Sequence, residues 1–159
     1  MKLILIVGFF VSAASTKFAI QHMYIGTKHC MKPSSMIVVQ PHPASCIDMN
    51  CFQIPGGRSS VSVECADSPK SSVYPVPTVP GGGKYLRAQG KDVQVYYKTG
   101  CIEMPNRGPM KLECGKQGKV SVRLCDQGCA KCYPAFSDAA LGYNFPELKC
   151  VQLRDSRGL

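Results

Sequence analysis

The 159-residue chain contains no tryptophan and three histidines, and its ten acidic residues are outnumbered by nineteen Lys and Arg. It has no apolar run of the roughly 20 residues that a membrane-spanning helix needs. No Asn-X-Ser/Thr sequon occurs, so N-glycosylation is not expected. The patterns H-E-x-x-H, G-x-S-x-G and H-x-E…C-x-x-C are absent as well. Histidines His22, His29 and His42, alone or with Glu64, are the only set suited to general acid–base chemistry, and no motif organises them. The chain therefore reads as a non-catalytic protein with no metal, no cofactor and no transmembrane segment.

What is present points outside the cell. Met1-Lys2, the apolar stretch Leu3 to Val11, and Ser12-Ala13-Ala14-Ser15 read as a secretory signal peptide over residues 1–15, cut after Ala14 or Ser15. In an oxidising compartment the ten cysteines imply a framework of up to five disulfides. They are Cys30, Cys46, Cys51, Cys65, Cys101, Cys114, Cys125, Cys129, Cys132 and Cys150. A bridge closing a loop of about 15 residues contributes ~3 kcal/mol in the chain-entropy view. With 15 Gly and 12 Pro keeping the elements short, cross-links more than core volume are expected to hold the fold. The formal charge of +9 biases encounter toward an anionic surface, a glycan or a host protein, with no signature of specific nucleic-acid binding.

Composition changes at "SPKSSVYPVPTVPGGGKYLRAQG", Ser68 to Gly90. Four prolines and a triple glycine favour an extended, flexible Pro/Gly-rich linker over 69–90, the alternative being a long loop packed across the surface. It would separate a first cysteine-rich β half, 16–68, with four cysteines, from a second, 91–159, with six. Both counts are even, so each half can close its bridges internally. The basic character sits mostly in the second: residues 84–159 carry thirteen cations and seven anions, against five and three over 16–72.

Both halves carry β signals. Met36–Val39, Val61–Val63, Val93–Tyr97, Met110–Leu112 and Val120–Leu124 are short, alternating or β-branched, and bounded by Gly, Pro or Lys. One helical turn is expected near "FSDAALGY". The fold class is all-β, as small antiparallel sheets in two related halves. One phrase occurs in both: "CFQIPGGRSSVSVEC" from Cys51 and "CIEMPNRGPMKLEC" from Cys101. Read as hairpins with one apolar face, they pair Phe52 with Val63 and Ile54 with Val61, then Ile102 with Leu112 and Met104 with Met110. Each copy then sends its two cysteines to opposite faces, so Cys51 is not expected to bond Cys65, nor Cys101 to bond Cys114. Lys111 on the polar side of the second hairpin, Lys116 in the turn that follows, and Lys119 and Arg123 on the polar side of the next strand form a cationic binding stripe or an ordinary solvated face. Cys129-Ala-Lys-Cys132 has redox spacing, but no strand–helix–strand pattern surrounds it, so structural disulfides are expected.

"PHPASC", Pro41 to Cys46, followed by Cys51 and Cys65, resembles the middle of peritrophin-A type chitin-binding modules. That resemblance implies chitin or other glycan binding by aromatic stacking, for which Tyr74, Tyr85, Tyr96, Tyr97, Tyr133 and Tyr143 are the candidates. The second half is similar to small secreted cysteine-rich β proteins of fungi and other eukaryotic microbes. The similarity rests on Tyr97, Cys101, Lys111, Cys114, the strand Val120 to Leu124, and Asp126 to Cys129. It implies an effector-like protein acting by binding at a cell surface or host interface. A further alternative is a protease inhibitor offering Arg107, in the loop 105–109, to a trypsin-like pocket.

Overall fold

Period-two alternation dominates the chain, and in the computed structural model it appears as eleven strands. The structure describes residues 16–31, 33–42, 46–68, 73–104, 107–133 and 147–158. The signal segment 1–15 and the expected helical turn near 136–143 lie outside the described residues. The strands are β1 (Thr16–Tyr24), β2 (Met36–Pro41), β3 (Met49–Gln53), β4 (Ser60–Ser68), β5 (Gly83–Gln89) and β6 (Gln94–Lys98). Then follow β7 (Gly100–Met104), β8 (Gly108–Cys114), β9 (Val120–Cys125), β10 (Cys132–Tyr133) and β11 (Leu148–Leu153). They make two antiparallel sheets, a seven-stranded one ordered β11-β5-β6-β2-β1-β4-β3 and a four-stranded one ordered β10-β9-β8-β7. The all-β class holds. No helix among the described residues is long and apolar enough to cross a membrane.

The expected halves do not build one sheet each. β2 pairs β6, Met36 opposite Tyr97, so the large sheet takes strands from both sides of the proposed hinge. The cause is visible in β5 and β6, which are apolar on both faces. Tyr85 and Tyr96 point to one side, and Leu86, Ala88, Val95 and Tyr97 to the other; all six are buried. A strand pair of this kind must be covered on both faces, which layers above and below the sheet provide. One face meets the small sheet, through a cluster of Leu86, Val95 and Tyr97 with Ile102, Met110, Leu112 and Val122. The opposite face gathers Phe18, Ile20, Ile37, Val39, Tyr85 and Tyr96 under Val79.

Val79 belongs to the stretch expected to be a linker, and the structure corrects that reading. The chain from residue 73 runs across the large sheet, with Tyr74 tilted against Phe18 at 5.2 Å and Val79 fully buried. Val79 bridges to the C-terminal segment: its N–H donates to Arg154 O (3.0 Å) and its carbonyl accepts from Ser156 N (3.0 Å). From Gly83 the same stretch is already strand β5. Prolines keep the backbone extended, and Tyr74, Pro77 and Val79 give it an apolar side against the sheet while Val73 and Val76 face outward.

The repeated phrase does form two hairpins, β3–β4 and β7–β8, in a register two residues tighter than expected. Phe52 lies opposite Val61 and Ile102 opposite Met110. A two-residue slip keeps every side chain on its face, so the apolar faces stand. The loops shorten because Gly56 (φ +74°) and Gly108 (φ +79°) adopt the left-handed conformation that reverses the chain early. In the first copy a bulge sets Asn50 and Cys51 opposite Ser62.

Five disulfides form, and none of the ten cysteines is free. The first half closes Cys30–Cys51 and Cys46–Cys65. The second closes Cys101–Cys129, Cys114–Cys150 and Cys125–Cys132. Each half is internally paired, and neither Cys51–Cys65 nor Cys101–Cys114 occurs. The two cysteines of each phrase face opposite ways and find separate partners.

Candidate binding surface

On β8 and β9 the apolar residues Met110, Leu112 and Val122 point into the inter-sheet core, which leaves Lys111, Glu113, Ser121 and Arg123 outward. Lys111 stands directly opposite Arg123. Glu113, two residues along the same face, receives both: Lys111 Nζ at 3.1 Å, and the Arg123 guanidinium in a second ion pair. Hydrogen bonding from Lys111, then the Arg123 contact, holds the exposed Glu113 carboxyl below its ordinary range. The stripe read from the sequence is therefore divided. Two of its four cations are tied to a carboxylate.

The other two remain outward-facing. Lys116 and Lys119 flank a 3-10 turn, Lys116–Gly118, that joins β8 to β9, and both are exposed. Gly115 N–H donates to Lys119 O (2.8 Å) and closes the turn. Lys84 of β5 comes up beside it, lining with Gly115, Gly118 and the Cys114–Cys150 bridge an open cleft of about 250 Å³. Lys84, Lys116 and Lys119 enter no ion pair among the described residues. Lys84 was missed because it falls in the stretch read as a linker. Its signal was the alternation Lys84-Tyr-Leu-Arg-Ala-Gln89, hidden behind the triple glycine.

The tyrosines suited to glycan stacking are mostly core. Tyr85, Tyr96 and Tyr97 are buried and Tyr74 is packed on Phe18. Tyr143 lies outside the described residues. Of the five that are described, Tyr133 alone is exposed, with Lys131 Nζ 5.7 Å from its ring centre. Arg107 is exposed, and its N–H donates to Met104 O (3.1 Å). It shares a cleft of about 670 Å³ with Arg58, so the two copies of the phrase bring their arginines together.

The histidines do not converge as a set. His22 on β1 is buried, with Nδ1 3.3 Å from Ser34 Oγ, and burial lowers its pKa to about 4. It is a neutral imidazole at pH 7. With exposed His29, Asp48 and Glu64 it lines an open cleft of about 920 Å³ beside the Cys30–Cys51 bridge. His42 is not among the residues lining it. Cys125, Cys129 and Cys132 bring three sulfurs within 4.8 Å of one another, a spacing that suits a metal ion. All three are in disulfides, however, and an oxidised sulfur offers no thiolate to a metal. Compared with known proteins, the chain matches no family model, no curated protein and no solved structure.

Proposed function

We propose that this is a secreted, non-catalytic binding protein, effector-like in character, that contacts an anionic cell-surface or host polymer through Lys84, Lys116 and Lys119. The observation that carries the reading is the partition of charge around Glu113. It pairs with Lys111 and Arg123, offsetting one of their two charges, and leaves three lysines without an ion pair at the turn and on β5. Such lysines, one lining a shallow cleft and two on the turn whose glycines line it, attract a repeating anion such as an acidic or sulfated polysaccharide, since each is a point charge that needs no fixed partner geometry. Five disulfides support an oxidising, extracellular setting, where such bridges persist.

Retention on a sulfated-polysaccharide resin, eluted by salt, tests the reading. The variant Lys84→Ala/Lys116→Ala/Lys119→Ala is expected to elute at clearly lower salt than the wild type. Lys111→Ala/Arg123→Ala with Glu113→Gln, which removes a net single positive charge against three, is expected to shift elution much less. Equal elution of the wild type and the triple variant overturns the assignment of the surface.

A further inference from the structure

The cleft of about 920 Å³ beside the Cys30–Cys51 bridge is lined with charge opposite to the net charge of the molecule. The chain has nineteen Lys and Arg, yet none is among the described residues that line this cleft, whereas Asp48 and Glu64 both are. Its floor is the face of the large sheet turned away from the small one. Ile20 lies in the core on that face, and His22, two residues along β1, shares it. So do Ser62, directly opposite His22, and Glu64, directly opposite Ile20. His22 is only 6% exposed, and its Nδ1 contacts Ser34 Oγ at 3.3 Å. Ser34 is fully buried and is not among the residues lining the cleft. The ring therefore turns Nδ1 inward and Nε2 toward the cleft, where Nε2 has no partner among the described residues. Burial also keeps this imidazole uncharged at neutral pH, so it does not repel a cation. At the rim, Asp48 Oδ1 accepts from Cys65 N–H (2.7 Å), which leaves Oδ2 open, and exposed Glu64 enters no ion pair among the described residues. Met31 and Met49, 84% and 41% exposed, line the same cleft.

We propose that this cleft binds spaced alkylammonium groups, as carried by a linear polyamine or by successive lysine side chains. Ammonium N–H groups donate to Glu64 and to Asp48 Oδ2 at the rim, and one donates to His22 Nε2 at the floor. Binding selects the tautomer whose Nδ1–H donates to Ser34 Oγ, since that form leaves Nε2 as an acceptor. The methylenes between the ammonium groups lie along the thioether chains of Met31 and Met49, which adapt to an irregular apolar stem. The separation of the acceptors selects a ligand with separated charges. Among the described residues the only group of His, Cys, Asp or Glu close enough to share one ion is Cys125, Cys129 and Cys132, so the cleft offers a single metal ion no three converging ligands. The attraction is local, because a Debye length of about 8 Å at physiological ionic strength screens the distant lysines and arginines.

Equilibrium dialysis of the intact, disulfide-bonded protein against labelled spermidine at physiological salt tests the proposal, with trilysine and Mg²⁺ as competitors. Saturable binding of spermidine is expected, and its absence for both spermidine and trilysine overturns the proposal. Displacement by less trilysine than unlabelled spermidine assigns the cleft to a peptide; the reverse order assigns it to a free polyamine. Displacement by Mg²⁺ at the same concentration as spermidine would show that bulk charge alone is read, and also overturns it. Glu64→Gln alters an exposed side chain outside every ion pair of the described residues, and is expected to weaken binding about fivefold. Glu64→Lys is expected to abolish it. Asp67→Asn removes an exposed carboxylate from the same strand but the opposite face, and is expected to bind as the wild type does. Equal weakening by Asp67→Asn and Glu64→Gln counts against the cleft. A second measurement needs no substitution: in ¹⁵N spectra of the histidine rings, spermidine is expected to move the Nε2 signal of His22 and leave that of His42, which is not among the lining residues. A His22 signal that stays in place while spermidine binds places the ligand elsewhere and refutes the site.

Discussion

The Cys114–Cys150 bridge ties β8 of the small sheet to β11 at the edge of the large one, across 36 residues of sequence. Cys125–Cys132 spans 7 and joins two strands already opposed in one sheet. If bridges act chiefly by restricting the unfolded chain, the two should differ by loop length alone. The chain-entropy relation gives ~4 kcal/mol for the long loop and ~2.5 kcal/mol for the short one at 25 °C. Removing the long bridge as Cys114→Ala/Cys150→Ala should therefore cost ~1.5 kcal/mol more than Cys125→Ala/Cys132→Ala. Alanine is the suitable replacement because both members of the long bridge pack against the inter-sheet core, where a serine hydroxyl would add its own desolvation cost.

Guanidinium unfolding of both variants at one pH measures the difference, read as a lower midpoint at unchanged slope. The core should keep the sheets together in both, because Leu86, Val95 and Tyr97 remain packed on Met110, Leu112 and Val122. Near-UV dichroism from the buried tyrosines should accordingly persist below the transition. Equal losses would show that native-state geometry, not loop entropy, sets the contribution of each bridge. A collapse of the slope in the Cys114/Cys150 variant alone would show that the two sheets unfold separately without their clamp, and the reasoning from a shared core would be wrong.

Two other perturbations follow from the large sheet. His22 is lowered by burial from 6.5 to about 4, so between those pH values the unfolded chain takes up a proton that the folded chain refuses. Stability is full above about pH 6.5 and declines as the pH drops toward 4, by ~1.4 kcal/mol for each whole step in pH and ~3 kcal/mol in all. His22→Gln should flatten that part of a thermal-midpoint profile, and parallel profiles would count against the assignment. Gly82 has φ +62°, and a Cβ there would stand 3.0 Å from Leu153 O, a backbone atom. Gly82→Ala should therefore lower stability by ~1–3 kcal/mol, more than Gly56→Ala, whose φ is +74° but whose added Cβ meets nothing within 4 Å. Equal midpoints for the two variants would show that the strap over β11 yields freely.

Strand positions and faces were legible in the sequence because they depend on local alternation. Met36–Val39, Val93–Tyr97 and Val120–Leu124 all lie in or overlap observed strands. Facing alone was enough to rule out Cys51–Cys65 and Cys101–Cys114, although the hairpin register was two residues off. Sheet membership was not legible. Nothing local to β2 or β6 states that they pair, and the prolines before β5 masked a strand that is apolar on both faces. The charge surface was half legible. Lys111 and Arg123 were placed on one face, but Glu113 shares that face by the same alternation and was left out of the reckoning.

The expectation that cross-links outweigh core volume is changed in kind by this architecture. Without tryptophan the interior is still substantial, because Tyr85, Tyr96 and Tyr97 fill both sides of the β5–β6 pair. The bridges lie elsewhere. Cys30–Cys51 fastens β3, an edge strand whose five residues are all exposed, and Cys46–Cys65 fastens its partner β4. Cys125–Cys132 and Cys101–Cys129 hold β10 and the turn beside it at the rim of the small sheet. An edge strand has one hydrogen-bonded neighbour and little to bury, so packing cannot secure it. Sulfur does that work here at the margins, while tyrosine and the aliphatic residues do it at the centre. Cys114–Cys150 alone joins the two roles, since both its members pack against the inter-sheet core while it clamps one sheet to the other.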